Sequence, residues 1–336
     1  MYDEEDYITV KAEAFRALCA SKVKYQSLRQ KNNQKFQRFN ETSNNLIELA
    51  YSEDERGLIV SAEDVILIYN LRDGSKAKPV ECKKYGVDRL EYLTNELCVH
   101  SDPTSGIIRA LNIPKKCYIR YFHGHTKKIR QIRSFPNQRE KFMSSSLDGH
   151  VRMFDTKSHD NFGLINMCST PLIAFDPEGI LFAVATKSET IKLFDIRSFD
   201  LGPFKTFKIM KNDDDEWTDI EFAPCGKFIL VSTKAVGVKW IDAYTGKVEH
   251  NFSQHKNPNN VPLRASVSSD SAFVTVGSAD RNIYVYSTDT GDITCKLPTP
   301  YTEPSHSVAL SHHQFLMASL GRDVVLWAPN EEYVNM

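Results

Sequence analysis

His125 and Asp148 carry the clearest hint of chemistry in this chain: an imidazole that a carboxylate could orient as a general base. The competing reading is structural, a satisfied histidine tying a loop to a turn. Other chemistry is poorly represented. Asp213-Asp214-Asp215-Glu216 is a run of carboxylates, but it lacks the alternating ligands and the turn glycine of a calcium loop, so a solvated surface loop is expected. No glycine-rich phosphate loop precedes a helix, and no His-x-x-x-His or paired-cysteine motif offers a metal site. Neither a cofactor nor a metal is expected, and nothing in the repeats supplies the converging carboxylates that catalysis in a central channel would need.

Composition narrows the class further. Across 336 residues the net charge is −1, so bulk attraction to nucleic acid or to an anionic membrane is not the default. No apolar stretch approaches the roughly 20 residues needed to span a bilayer. The acidic start, Met1-Tyr2-Asp3-Glu4-Glu5-Asp6, is unlike a secretory leader. Seven scattered cysteines, with no Cys-x-x-Cys, fit reduced thiols in an intracellular protein.

The elements that must position His125 and Asp148 show in a repeat. Tyr69-Asn70, Leu111-Asn112, Phe154-Asp155, Phe194-Asp195, Ile241-Asp242, Tyr286-Ser287 and Trp327-Ala328 recur at steps of 42, 43, 40, 47, 45 and 41 residues. Each closes a short apolar or β-branched run. A pitch in the low forties ending in such a pair is the signature of a WD-repeat β-propeller. The expectation is an all-β wheel of seven blades over residues 35–330, with an extension at 1–34 and a tail at 331–336.

The third repeat is read as Tyr118 to Asp155, with strands around Ile129, Lys141 and Val151 and a tight turn at Asp148-Gly149. The other repeats are read as Leu46–Asn70, Val80–Asn112, Val248–Ser287 and Ile293–Ala328, with a fourth around Leu172–Phe194 and a fifth lengthened by the acidic insert. In WD-repeat terms His125, Ser144, Asp148 and Phe154 fill the four places of a buried His-Ser-Asp-Trp tetrad. Phe154 lacks the indole donor, so the Ser144 bond is expected to be remade or lost. No other repeat shows the set. Lys35-Phe36-Gln37-Arg38-Phe39 is expected to close the ring as the outer strand of blade seven, because an uncovered sheet edge is a liability. Thr9 to Lys31 is helix-compatible, either docked or a mobile arm.

The turn between the second and third strand of each blade opens on one face. There, Lys187, Lys234, Arg281 and Arg322 form a basic arc opposite Glu63, Asp64 and Asp102, with His150 between. Such an arc suits a phosphorylated, extended peptide, since charge-assisted hydrogen bonds to phosphate are strong. Lys127 and Lys128 could extend it. Trp217 is expected in the core or as a rim anchor.

Several stretches go beyond a generic repeat: Lys83-Lys84-Tyr85-Gly86-Val87-Asp88, Tyr118 through His125, Phe175-Asp176-Pro177-Glu178-Gly179, Lys192 through Asp200 and on to Lys208, Glu216-Trp217-Thr218, and Asp242-Ala243-Tyr244-Thr245-Gly246. Together they resemble the WD-repeat subunit of COMPASS, the SET-domain histone H3 lysine-4 methyltransferase assembly, across roughly residues 36 to 329. The resemblance implies a non-catalytic nuclear scaffold, monomeric within a hetero-complex. Its partners would be a SET-domain histone methyltransferase, a protein phosphatase 1 nuclear targeting subunit, or both, with links to RNA 3′-end processing and to the phosphorylated C-terminal tail of RNA polymerase II. It also marks Lys83, Lys84 and Tyr85 as a partner contact. The alternative is another WD-repeat adaptor, such as a ubiquitin-ligase substrate receptor.

Overall fold

The computed structural model describes residues 46–71, 75–158, 160–186, 189–209, 216–234, 237–299, 305–311, 316–321 and 323–327. These residues form seven antiparallel sheets, six of four strands and one of three. The sheets span residues 46–81, 90–122, 129–166, 172–208, 217–252, 266–298 and 307–327, and are numbered here as blades one to seven. The recurring dipeptides mark real boundaries: the third strands end at Asn70, Asn112, Asp155, Asp195, Asp242, Ser287 and Trp327. The chain turns there because the acid caps the bend. The Oδ1 atoms of Asp155, Asp195 and Asp242 each accept the amide two residues on, at 2.8 Å.

The sequence repeat and the structural blade are offset by one strand. Val80–Glu81, Cys117–Phe122, Val248–Phe252 and Ile293–Pro298 stand at the start of the sequence repeats that follow them, but each pairs with the third strand before it. The short, capped connection leaves the chain beside the strand it has just left. Ring closure by residues 35–39, the helix-compatible arm and the acidic insert at 211–215 lie outside the described residues.

Alternation along each strand sends apolar side chains to both faces of a blade, so no blade can bury its residues alone. Seven apolar clusters result, and each straddles one boundary between neighbours. Between blades three and four, Met143 and Met153 meet Phe182 and Phe194, whose rings stack at 5.1 Å. Full burial of one such ring is worth about 1.5–3 kcal/mol. Leu58, Val60 and Tyr69 of blade one pack with Ala318, Leu320 and Leu326 of blade seven, which completes the circle. Across that last boundary the Tyr51 hydroxyl donates to the Ala309 carbonyl at 3.2 Å.

Among the described residues Cys82, Cys98, Cys117, Cys168 and Cys225 are free thiols, as expected.

Candidate functional site: rim and hub

On one face of the wheel, the turn between second and third strands is hydrogen-bonded to the loop that brings the chain into the blade's inner strand or carries it onward. Leu147 N donates to Lys128 O at 3.0 Å, Lys234 N to Glu216 O at 3.0 Å, Ala279 N to Lys256 O at 2.7 Å and Val87 N to Glu63 O at 2.5 Å. These paired loops form the rim that carries the expected basic arc.

The arc is only partly free. Lys234 is bonded to the Glu216 carboxylate. Arg281 is exposed in a left-handed turn at φ 64°. Lys187 and Arg322 lie outside the described residues. Lys128 pairs with Asp88 at 3.2 Å, Lys127 is exposed, and His150 Nδ1 contacts the Asp148 carbonyl at 3.0 Å. The opposing acidic half is smaller than expected, because Asp102 is buried and bound to Arg109 at 2.9 Å. Trp217 is buried in the cluster between blades four and five, and its carbonyl accepts Arg130 Nη2 at 2.7 Å.

His125 sits between Ser144 and Asp148. Its Nδ1 lies 2.9 Å from Asp148 Oδ2 and its Nε2 lies 2.8 Å from Ser144 Oγ. Ser144 keeps its bond to His125, although the donor that an indole at position 154 would supply is missing. Phe154 removes a donor from Ser144 but compensates by stacking on Phe142 at 5.2 Å. Burial pushes the His125 pKa down. Burial also works against the Asp148 carboxylate, but the Thr126 amide, the His125 ring and the His150 amide outweigh it and hold that pKa at about 2. A neutral, enclosed ring with both nitrogens engaged is a structural tie.

Two blades contain partial versions that the sequence reading missed. In blade six, His255 is buried against Tyr286 (Nδ1 to hydroxyl, 3.3 Å), while Asp280 accepts the Tyr284 hydroxyl at 2.7 Å. The Gln254-His255 pair lacks the glycine of the usual Gly-His, which hid it. In blade seven, Trp327 Nε1 donates to Ser319 Oγ at 2.9 Å, the indole–hydroxyl bond that blade three lacks.

At the boundary of blades one and two, Lys83, Lys84 and Tyr85 occupy a turn whose Tyr85 and Gly86 amides donate to Cys82 O at 3.0 and 2.8 Å. Lys83 pairs with Glu81 at 3.1 Å on the surface. The Arg109 guanidinium lies 4.1 Å from the centre of the Tyr85 ring and Lys84 Nζ lies 4.9 Å from it. Tyr118 and Tyr121 meet Tyr85 at 5.6 and 6.3 Å.

The hub holds what sequence reasoning excluded: converging carboxylates. Glu48, Glu91, Asp219 and Glu221 lie on the inner strands of blades one, two and five. Two arginines stand between them in a closed circuit. Arg133 Nη2 reaches Asp219 Oδ1 at 2.7 Å, and Arg264 Nε reaches Asp219 Oδ2 at 2.9 Å. Arg264 Nη1 reaches Glu48 Oε1 at 3.3 Å, and Arg133 Nη1 reaches the same oxygen at 3.7 Å. Gln131 donates to Asp219 and accepts the Ile173 amide at 2.7 Å, so blade four joins as well. Leu90 N donates to Glu48 Oε2 at 3.1 Å, drawing in blade two.

Below this circuit, Glu91 accepts the Ser134 hydroxyl at 3.0 Å and burial raises its pKa. Burial pushes Glu221 up to about 7, with Arg264 opposing. Fixed ion pairs across a channel restrain blades relative to one another. They leave Glu48 and Asp219 committed to guanidinium groups rather than to a reacting molecule.

A model of the WD domain, G-beta repeat, matches residues 116–155 and 246–287. These are the two segments that contain the His125 and His255 arrangements. The chain is 34% identical over 297 residues to WD repeat-containing protein 82 of Drosophila melanogaster, covering 88% of this chain and 93% of that protein. It is 31% identical over 234 residues to Set1 complex component swd2 of Schizosaccharomyces pombe, covering 67% and 65%. With COMPASS component SWD2 of Saccharomyces cerevisiae the identity is 29% over 194 residues, covering 56% and 58%.

Proposed function

Because the chain belongs to the WD-repeat family that includes WD repeat-containing protein 82 and Swd2, we propose that it is a non-catalytic scaffold subunit of a COMPASS-type histone H3 lysine-4 methyltransferase assembly in the nucleus. The observation that carries this reading is the extent of the likeness, which runs over 93% of the Drosophila relative and so includes rim and hub alike. The hub supports a holding role, since the carboxylates of its charge circuit are matched by Arg133 and Arg264. Protein phosphatase 1 targeting and 3′-end processing complexes are further assemblies that the same wheel could serve.

Partner recognition belongs to the rim. Arg281, with Lys187, Lys234 and Arg322, would take a phosphorylated peptide, with the polymerase tail as the chemistry that fits. Phosphate must displace Glu216 from Lys234, an exchange of one charge-assisted bond for a stronger one. Ring closure is assigned to residues 35–39, as the outer strand of blade seven.

Co-expression with a SET-domain methyltransferase subunit tests the scaffold reading. The two chains should co-elute in size-exclusion chromatography, and separate elution would overturn it. Glutamate at the four rim positions should abolish phosphopeptide binding while leaving co-elution unchanged.

A further inference from the structure

The outer strand of blade two, Cys117–Phe122, contains an irregularity that builds a surface. Its pairing with the third strand, Ile108–Asn112, matches Tyr121 to Arg109 and Arg120 to Ala110, then jumps to Tyr118 opposite Leu111. Ile119 is left without a cross-strand partner. A β-bulge of this kind re-aims side chains and blunts an edge against strand addition. Here it brings Tyr118 and Tyr121, three residues apart, within 6.0 Å of each other. Tyr85 completes a cluster of three rings, and His100 Nε2 pins the Tyr118 hydroxyl at 3.2 Å.

The cluster's faces and edges are used differently. Arg109, fixed by Asp102, lies over the Tyr85 ring at 4.1 Å. That occupied face is not free to stack a base, which single-stranded nucleic acid would require. The Tyr118 hydroxyl is turned inward to the buried His100, and the hydroxyls of Tyr85 and Tyr121 remain at the surface. Lys84 and the Tyr121 hydroxyl both reach the Tyr85 hydroxyl and hold its pKa below the usual tyrosine range. Beside these donors, Ile119 is 57% exposed and Tyr121 39% exposed.

Positive charge continues along the same edge. Lys116 Nζ donates to the carbonyls of Lys78 and Pro79 at 3.1 and 3.2 Å, which sets Lys78, Lys115 and Lys116 together at the far end. The nearby acids are Glu81, which is spent on Lys83; Glu96, which adjoins the far end through its carbonyl bond from Ile113 N; and Asp64 and Glu63, whose carbonyls accept the Cys82 and Val87 amides on either side of the Lys83–Tyr85 turn.

We propose that the bulged outer edge of blade two is a docking surface for an acidic linear segment of a protein partner. Its carboxylates meet Lys84 and the hydroxyls of Tyr85 and Tyr121 at one end and Lys115 and Lys116 at the other. An apolar side chain between them covers Ile119 and Tyr121. The surface deepens the scaffold reading and rests on it for the existence of a protein partner. It adds Arg109, Tyr118, Ile119 and Tyr121 to the turn at Lys83, Lys84 and Tyr85, and it states the chemistry of what binds.

Fluorescence anisotropy on the full chain tests it with three labelled probes: a dodecapeptide alternating glutamate and leucine, its lysine–leucine counterpart, and a twelve-nucleotide oligouridylate. The acidic peptide should bind saturably, more weakly as salt rises. Lys84→Glu and Tyr121→Ala should each weaken it by about tenfold, while the charge-keeping Lys84→Arg, and Lys247→Glu at an exposed position of blade five, leave it unchanged. Both substituted side chains of the test variants lie at the surface, and unchanged melting temperatures show that the variants are folded. Absence of saturable binding overturns the proposal. So does binding indifferent to Lys84→Glu and Tyr121→Ala, or tighter Tyr121-dependent binding of oligouridylate. A chain that co-elutes with its methyltransferase partner but ignores the peptide removes this surface and keeps the scaffold. A chain that binds the peptide without that partner keeps the surface and removes the scaffold.

Discussion

Arg264 and Asp219 join blades six and five across the hub through a 2.9 Å contact between Nε and Oδ2. Arg133 holds the second oxygen of the same carboxylate at 2.7 Å. Asp219 is thus a single residue through which three blades are fixed to one another, and Glu48 returns the circuit to blade one.

Removing one member strands the others. Arg264→Met leaves the Asp219 and Glu48 carboxylates short of a cation, and should cost about 3 kcal/mol in chemical denaturation. That is the low end for a broken buried pair, since 26% of the Arg264 side chain remains exposed. Adding Asp219→Asn should restore part of the loss, because fewer unmatched charges then remain. A loss in the double variant equal to the sum of the losses in Arg264→Met and Asp219→Asn alone would show that the two residues act independently.

Glu221 gives the hub a pH dependence of defined sign. Its folded pKa, raised to about 7, exceeds that of an unfolded glutamate, so the folded state binds this proton more tightly. Stability from this group is fully present below the unfolded pKa of about 4.3 and is lost as pH rises through about 7. Glu221→Gln should therefore gain on the wild type as pH rises from about 4.5 to 8, by at most about 3 kcal/mol. Melting curves of the pair across that range check it, and parallel pH profiles would contradict it.

The fold was legible because its signal is periodic: the third strand of every blade ends where the recurring dipeptide places it. The hub was not. Glu48, Glu91, Arg133, Asp219 and Arg264 occupy similar places in different repeats and never adjoin in sequence. Their contacts with neighbouring blades skip about one repeat, 42 residues for Leu90 with Glu48 and 43 for Ser134 with Glu91. Aligning the first strand of each repeat would have revealed the column of charges. The bulge that joins Tyr118 to Tyr121 has no sequence signal, because it arises from register against Ile108–Asn112.

The His125 tie makes a separate prediction. Asp148 accepts three bonds, from His125 Nδ1, the Thr126 amide and the His150 amide, at 2.9, 3.0 and 2.9 Å. At roughly 1 kcal/mol for each bond, Asp148→Ala should cost about 3 kcal/mol in a denaturant titration. It should leave partner binding intact once the protein is folded. Loss of binding without loss of stability would assign Asp148 to an interface.

Closure of the ring can be tested by truncation. Among the described residues blade seven has three strands, with Val324–Trp327 at the edge. A chain starting at residue 46 should melt at lower temperature than the full chain and exchange the amide hydrogens of residues 324–327 faster. Unchanged exchange there would exclude residues 35–39 as the closing strand.

Affinity purification of the tagged chain from its own cells, with quantitative mass spectrometry, tests the central claim most directly. The account predicts subunits of a SET-domain histone H3 lysine-4 methyltransferase in near-equal amount to the bait. Recovery of cullin-associated ubiquitin-ligase subunits in that proportion, with the methyltransferase absent, would contradict it.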